Sequence, residues 1–243
     1  MEAASLKTKK GNQLIFLGVL LFLSLTMGCF SNDTKVPENI DHLVYTEPSL
    51  EQGMEEIENL LGVKPVIGGR HPNYGTHNAL LSLGKSTYLE IIAPDPELPA
   101  PENGRWLAKH YQQQPKLTTW VLRQEQIESI REKAVQNGLP LGEVESGKRE
   151  KPDGTVLAWK LTDPYAFPLD GTIPFLISWG ETPHPAKAVP RAGELIAFKI
   201  EHPTPQKVME SLKVLGVDVK VTQSNNPKIT AVIKTEKGIV TLQ

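Results

Sequence analysis

The feature that most constrains this chain is an order of elements, strand, helix, strand, strand, strand, that its apolar pattern spells out three times. In the first passage, Ile40 to Tyr45 alternates as a strand does, with His42 on the face of Ile40 and Val44. Ser49 and Gln52 form a capping box ahead of a helix whose Leu50, Met54, Ile57 and Leu61 share one face. Gly62 offers a left-handed end to that helix. A strand over Val63 to Gly68 follows, then two alternating runs, His77 to Leu83 and Ser86 to Ile92, around Gly84-Lys85. The second passage runs from Leu117 to Leu122 through a helix at Gln124 to Asn137, closed by Gly138. Its strands are expected at Gly142 to Ser146, Val156 to Leu161 and Ile173 to Trp179. The third starts at Glu194 to Glu201, with Thr204 and Pro205 opening a helix that buries Val208, Leu212 and Leu215 and ends at Gly216. Val217 to Thr222, Lys228 to Thr235 and Gly238 to Leu242 complete it. The three helix-ending glycines recur at nearly constant spacing, which predicts an internal repeat of three units, 40–96, 116–181 and 194–243, in an α+β fold. Proline-rich stretches, Pro94 to Pro101 and Thr182 to Pro190, mark the joints.

Two residues break the apolar faces of the first unit. His42 stands where a strand pattern expects a core side chain, and Glu90 lies beside Tyr88 and Ile92. A buried carboxylate without a partner is costly, so these two predict a paired polar site, with or without a metal. The hairpin decides which neighbour joins them. A two-residue turn at Gly84-Lys85 puts Ala79 opposite Glu90 and His77 on Glu90's face, whereas a three-residue loop puts Asn78 there. Arg70 and His71, in a glycine-rich turn, either present donors to an anionic ligand or belong to an ordinary polar connection. Trp120, Trp159 and Trp179 read as core or cup lining, and His110, His184 and His202 as surface or loop residues.

The chain has 243 residues, 39% hydrophobic and 22% charged, with a net charge of −2 and 6% aromatics. Without a basic stripe or stacking aromatics there is no case for nucleic acid as a partner. No GxSxG, HExxH or phosphate-loop pattern occurs, which removes the corresponding hydrolase, zinc-protease and nucleotide-triphosphatase readings.

The amino terminus is separate. Lys7, Lys9 and Lys10 precede an uncharged apolar run from Leu14 to Met27 that ends Gly28-Cys29, the protein's one cysteine. This resembles a bacterial lipoprotein signal with its lipobox: residues 1–28 a signal peptide, Cys29 the lipidated residue and 29–39 a tether. Phe30 after the cysteine resembles the outer-membrane class, if the cell is Gram-negative. The alternative is an uncleaved single transmembrane anchor. Either arrangement predicts a membrane-anchored protein of the cell envelope, and the lone cysteine excludes an intramolecular disulfide.

The stretches IDHLVYTEPSLEQGMEEIENLLGVKP and GRHPNYGTHNALLSLGKSTYLEIIAPDP resemble the glyoxalase-like domain proteins of the vicinal oxygen chelate superfamily, which is built from β-α-β-β-β modules curled into a cup. The resemblance is strongest over Ile40 to Pro96, weaker over Trp120 to Gly180 and only topological beyond Glu194. It implies that His42 and Glu90 hold a divalent ion (zinc, nickel, manganese or iron), with Glu90 also catalytic; His77, Asn78 and Arg70, read from the hairpin and the glycine-rich turn, are the candidate substrate-binding residues. The activity it implies is a lyase, isomerase or dioxygenase type of reaction on a small oxygen-rich molecule; the alternative is a metal-free module that sequesters such a molecule. The chain departs from the superfamily pattern at Thr119 and Ile177 or Ser178 in the second unit, and at Ala197 or Phe198 and Thr241 in the third. None of these is a usual ligand, so only two metal ligands are supplied. An odd number of units leaves edge strands that favour a homodimer.

Overall fold

A computed structural model describes residues 36–150 and 156–243. The signal peptide, Cys29 and most of the tether lie outside the described residues. Among the described residues no helix is long and apolar enough to cross a membrane.

The elements follow in the expected order: β1 Ile40–Thr46, α1 Leu50–Leu61, β2 Val66–His71, β3 Thr76–Ser82 and β4 Tyr88–Pro94. Then come β5 Lys116–Arg123, α2 Ile127–Gln136, β6 Val144–Glu150, β7 Val156–Thr162 and β8 Phe175–Ser178. Last are β9 Glu194–His202, α3 Pro205–Val214, β10 Val221–Gln223, β11 Lys228–Thr235 and β12 Gly238–Leu242. Gly62 sits at φ 81° and its N–H closes α1 on the Glu58 carbonyl, the left-handed end its sequence predicts. Ser49 occupies the N-cap position but makes no side-chain cap bond, so the capping box is not formed. Strand β2 starts after Pro65 rather than at Val63, and β8 is shorter than the expected strand.

Pairing separates the third passage from the other two. In the first, β1 pairs parallel with β4, and in the second β5 pairs parallel with β8. Joined through the antiparallel β1–β5 pair, they make one eight-stranded sheet in the order β2-β3-β4-β1-β5-β8-β7-β6. In the third, β9 takes β10 as its parallel neighbour and β11 as its antiparallel one, giving a separate sheet, β10-β9-β11-β12. The order of elements recurs three times, but the strand connections match only twice. The expected third copy is therefore corrected: hydrophobic periodicity reports which segments are strands and says nothing about which edges they join.

That second sheet has a structural task. One face of the large sheet carries Leu43, Tyr45, Leu81, Leu89, Ile91, Trp120 and Leu122, all buried in a single apolar cluster. The cluster is completed by Leu50, Ile57 and Leu61 of α1, Ile127 and Ala134 of α2, and Val208 and Leu212 of α3, the faces read from the helical period. Phe198 of β9 meets Trp120 of β5 at 4.9 Å between ring centres, and the Trp120 indole donates to the Thr172 carbonyl at 2.9 Å. With one face packed in this way, the opposite face of the large sheet forms the cup. Part of the cup is filled by a segment that the sequence marked only as a joint and its sequel: Trp106, Leu107 and Tyr111 pack there on Val44, Ile92 and Val121.

Candidate functional site

His42 and Glu90 reach the cup because β1 and β4 are adjacent and parallel, with His42 level with Tyr88 and Val44 level with Glu90. The His42 ring stacks on the Tyr88 ring at 4.4 Å and 18°. Its Nε2 lies 3.4 Å from Glu90 Oε2, and its Nδ1 lies 2.8 Å from Asp41 Oδ1. A sequence neighbour reaches the same ring because the β1–β5 register shifts between Ile40 and His42, a bulge that leaves Asp41 as the extra residue. The bulge corrects the expected alternation. Ile40 belongs to the main core, while His42 and Val44 face the cup.

Asp41 is fully buried and fully partnered. Besides His42, its Oδ2 accepts from His184 Nε2 and from the Trp179 indole, each at 3.0 Å. The Ala186 N–H donates to His184 Nδ1, so the proton of that ring sits on Nε2 and points at Asp41. Burial works against the Asp41 charge, but the hydrogen bonds from His184 and His42 outweigh it and hold the carboxyl at about 2. Burial likewise works against a charged His42, and the bonds to Asp41 and Glu90 win, pushing it up to about 9. Glu90 follows the same logic: burial opposes its charge, and His42 pulls its pKa below the usual carboxylate range. The resulting row is carboxylate, imidazolium, carboxylate. The second oxygen of Glu90 accepts from Asn78 Nδ2 at 2.6 Å, and Asn78 Oδ1 accepts from the Gly69 N–H at 2.9 Å.

A cavity of about 90 Å³ opens on this row. Its walls include Tyr74, Leu80, Trp106, Trp159, Phe175 and Trp179, with His71 and Arg149 as further polar groups. His71 is neutral, because burial lowers its pKa, and its Nδ1 lies 3.1 Å from the Thr76 hydroxyl.

The hairpin register selects between the two expected neighbours of Glu90. Leu80 lies opposite Glu90 and Asn78 opposite Ile92, so Asn78 shares Glu90's face. The two-residue turn, and with it His77 on that face, is corrected: the β3–β4 pairing is offset by one residue, which inverts the parity. His77 instead approaches Asp95 at 3.9 Å. Arg70 is likewise outside the cavity wall, its guanidinium held by Asp95 and Glu97. His184, expected on the surface or in a loop, is buried against Asp41, and His202 is buried as well. Sequence reasoning passed over Asp41 and Arg149. The one signal for Asp41 was a charged residue inside the apolar run of β1; for Arg149 there was none, since it lies beyond the strand expected at Gly142 to Ser146, which extends to Glu150.

The two expected metal ligands are placed to act together. His42 Nε2 and Glu90 Oε2, 3.4 Å apart, are near enough to share one divalent ion once Nε2 gives up its proton, and the Asp41 bond to Nδ1 is the outer contact that metal-bound histidines commonly have. Among the described residues no group of three or more His, Cys, Asp or Glu side chains gathers in a way that could hold an ion. The pair therefore fits an ion held at two points, the other positions left to water or substrate oxygens, and not the three-ligand arrangement usual at catalytic zinc.

A family model described as a glyoxalase-like domain matches residues 40–216. Among curated proteins, none matches this sequence. A solved structure of a hypothetical protein from Staphylococcus aureus superposes with a TM-score of 0.61 at 15% identity, covering 83% of this chain and 97% of that one, a likeness of fold. Methylmalonyl-CoA epimerase from Mycobacterium tuberculosis aligns at 16% identity over 58% of this chain and 85% of its own, with a TM-score of 0.38. The Streptomyces coelicolor epimerase in complex with 2-nitronate-propionyl-CoA aligns at 15% identity over 60% and 96%, with a TM-score of 0.42. At those scores the two epimerases carry no argument about activity.

Proposed function

The chain belongs to the glyoxalase-like domain family, and from that premise we propose that its cup binds a small oxygen-rich molecule and moves a proton on it at Glu90. The observation that carries this reading is the buried row Asp41–His42–Glu90, of which His42 and Glu90 line the cavity. Asn78 fixes one Glu90 oxygen and leaves the other beside His42 Nε2. That oxygen is ionised at neutral pH and is the proton acceptor of the site. His42, anchored through Nδ1, offers its Nε2 proton to an oxygen on which negative charge develops. The aromatic walls keep bulk water from the reacting atoms. If a divalent ion is held by His42 and Glu90, it supplies Lewis-acid polarisation of neighbouring oxygens.

One observation favours a second reading, in which the cup only sequesters its ligand: both nitrogens of His42 already face carboxylates, which leaves a site complete without a metal. The deciding experiment is proton exchange in deuterated water, with a panel of 2-oxo acids and 1,2-diones read by proton NMR. Exchange at the carbon next to the carbonyl, lost about 100-fold or more in Glu90→Gln, supports the enzyme. Binding of the same molecules without exchange, unaffected by chelators, supports sequestration. The lipobox reading would tether this cup through Cys29 to the envelope, a proposal that rests on the sequence of residues 1–39.

A further inference from the structure

The edges of the large sheet come together at one point. Arg149, on edge strand β6, lays its side chain against Gly69 of β2, the strand at the other end of the sheet. A Cβ on Gly69 would lie 2.1 Å from an Arg149 guanidinium nitrogen, so the close approach depends on the glycine. The guanidinium lines the same cavity as His42 and Glu90 and feels the charge of Glu90, yet it makes no hydrogen bond or ion pair with any described residue. Burial lowers its pKa, the mark of a charge held partly out of water without full compensation.

A partly desolvated guanidinium that bonds no described residue is the complement of a planar anion. The anions of the protein's own site are otherwise engaged: Glu90 with His42 and Asn78, and Asp41 with His42, His184 and Trp179. The same wall carries Tyr88, whose charge Arg149 feels, and the rings of Trp159, Trp106 and Phe175. These offer stacking surface and little hydration, which disfavours a doubly charged phosphate and suits a singly charged carboxylate on an unsaturated body. We propose that Arg149 is the anion anchor of the cup and that the ligand is a small carboxylate with a second oxygen on the adjacent carbon and a flat, unsaturated body. The carboxylate takes the guanidinium fork. The second oxygen then points to His42 Nε2, and the body lies on the aromatic walls. The inference rests on the cup being a small-molecule site, and it adds the class of molecule and the residue that selects it.

The test is calorimetric binding of benzoylformate, pyruvate and their methyl esters to the full chain and to Arg149→Met, Arg149→Lys and Glu90→Gln. The expected result is that each acid binds wild type at least about tenfold more tightly than its ester, with benzoylformate the tighter acid. The preference should vanish in Arg149→Met, survive in part in Arg149→Lys, which keeps the charge and loses the fork, and persist in Glu90→Gln. Equal binding of acid and ester by wild type, or an acid preference that persists in Arg149→Met, overturns the anchor while leaving the proton-transfer reading to its own exchange test. Failure of all four molecules to bind wild type overturns both.

Discussion

His184 donates from Nε2 to Asp41 Oδ2 at 3.0 Å across 143 residues of sequence. This bond ties the loop after β8 to the bulge in β1 and sets the geometry of the site from behind. Asp41 accepts from His42, His184 and Trp179 at once, so it is the hinge of the buried charge arrangement.

Removing the Asp41 charge while keeping its shape therefore tests the whole row. Asp41→Asn should leave His42 without its anchoring carboxylate and cost about 3–5 kcal/mol in stability, the usual penalty for breaking a buried pair. Urea unfolding measures this. His184→Ala, which removes one of several donors, should cost about 1–3 kcal/mol. Equal midpoints for wild type and Asp41→Asn would contradict the assignment.

The join between the two sheets makes an independent prediction. Trp120 is buried, packs on Phe198 of the second sheet and spends its indole N–H on Thr172. Trp120→Ala should cost about 3–5 kcal/mol, whereas Trp120→Phe, which keeps the ring contact and loses the hydrogen bond, should cost less. Unfolding curves of the two variants decide it.

The elements were legible in the sequence because each has its own periodic signature. Leu50, Ile57 and Leu61 gave α1 its inward face, and the glycine after it is left-handed as read. The pairing of β9 with β10 was not legible, since strand neighbours depend on long-range packing that leaves no local trace. At the site, His42 and Glu90 stood out as polar residues on apolar faces, while the choice between His77 and Asn78 hung on a one-residue offset in a hairpin. Asp41 was hidden by a bulge, and Arg149 lay past the expected end of its strand in a polar stretch with no apolar period.

Glu47 gives stability a pH dependence of unusual sign. It is almost wholly buried, its side chain lies against α1 at Gly53, and its Oε1 has no hydrogen-bond partner. Burial, and then the charge of Glu56, push its pKa up to about 7 from 4.5. The folded state thus holds a proton that the unfolded chain releases. The contribution is fully present below about pH 4.5 and is lost as pH rises through about 7. Glu47→Gln should unfold later than wild type at pH 8, by on the order of 1–3 kcal/mol, and show little gain at pH 4.5. A gain equal at both pH values would show that Glu47 does not titrate in that range.

For the amino terminus the expectation rests on Leu14 to Cys29. Expressed in a bacterial host, the full chain should incorporate labelled palmitate and sediment with membranes, and Cys29→Ser should take up no label. Labelling that survives Cys29→Ser would remove the lipoprotein reading. Membrane sedimentation that survives without label would point to the uncleaved anchor.

Gly69 offers a way to move Arg149 without altering it. The three atoms nearest to where a Cβ would go are all in the Arg149 side chain, and the backbone at Gly69 does not need glycine's left-handed freedom. Gly69→Ala should therefore displace the flexible guanidinium rather than the fold, with a stability change within about 1 kcal/mol. If the guanidinium anchors a carboxylate, this distant methyl group should weaken benzoylformate binding several-fold and leave the methyl ester unaffected. The expected signature is a selective loss of acid binding in a protein whose unfolding midpoint is nearly that of wild type. A uniform loss for acid and ester would instead mean that the methyl group narrows the cavity itself, and Arg149 would then be part of its wall and not its anchor.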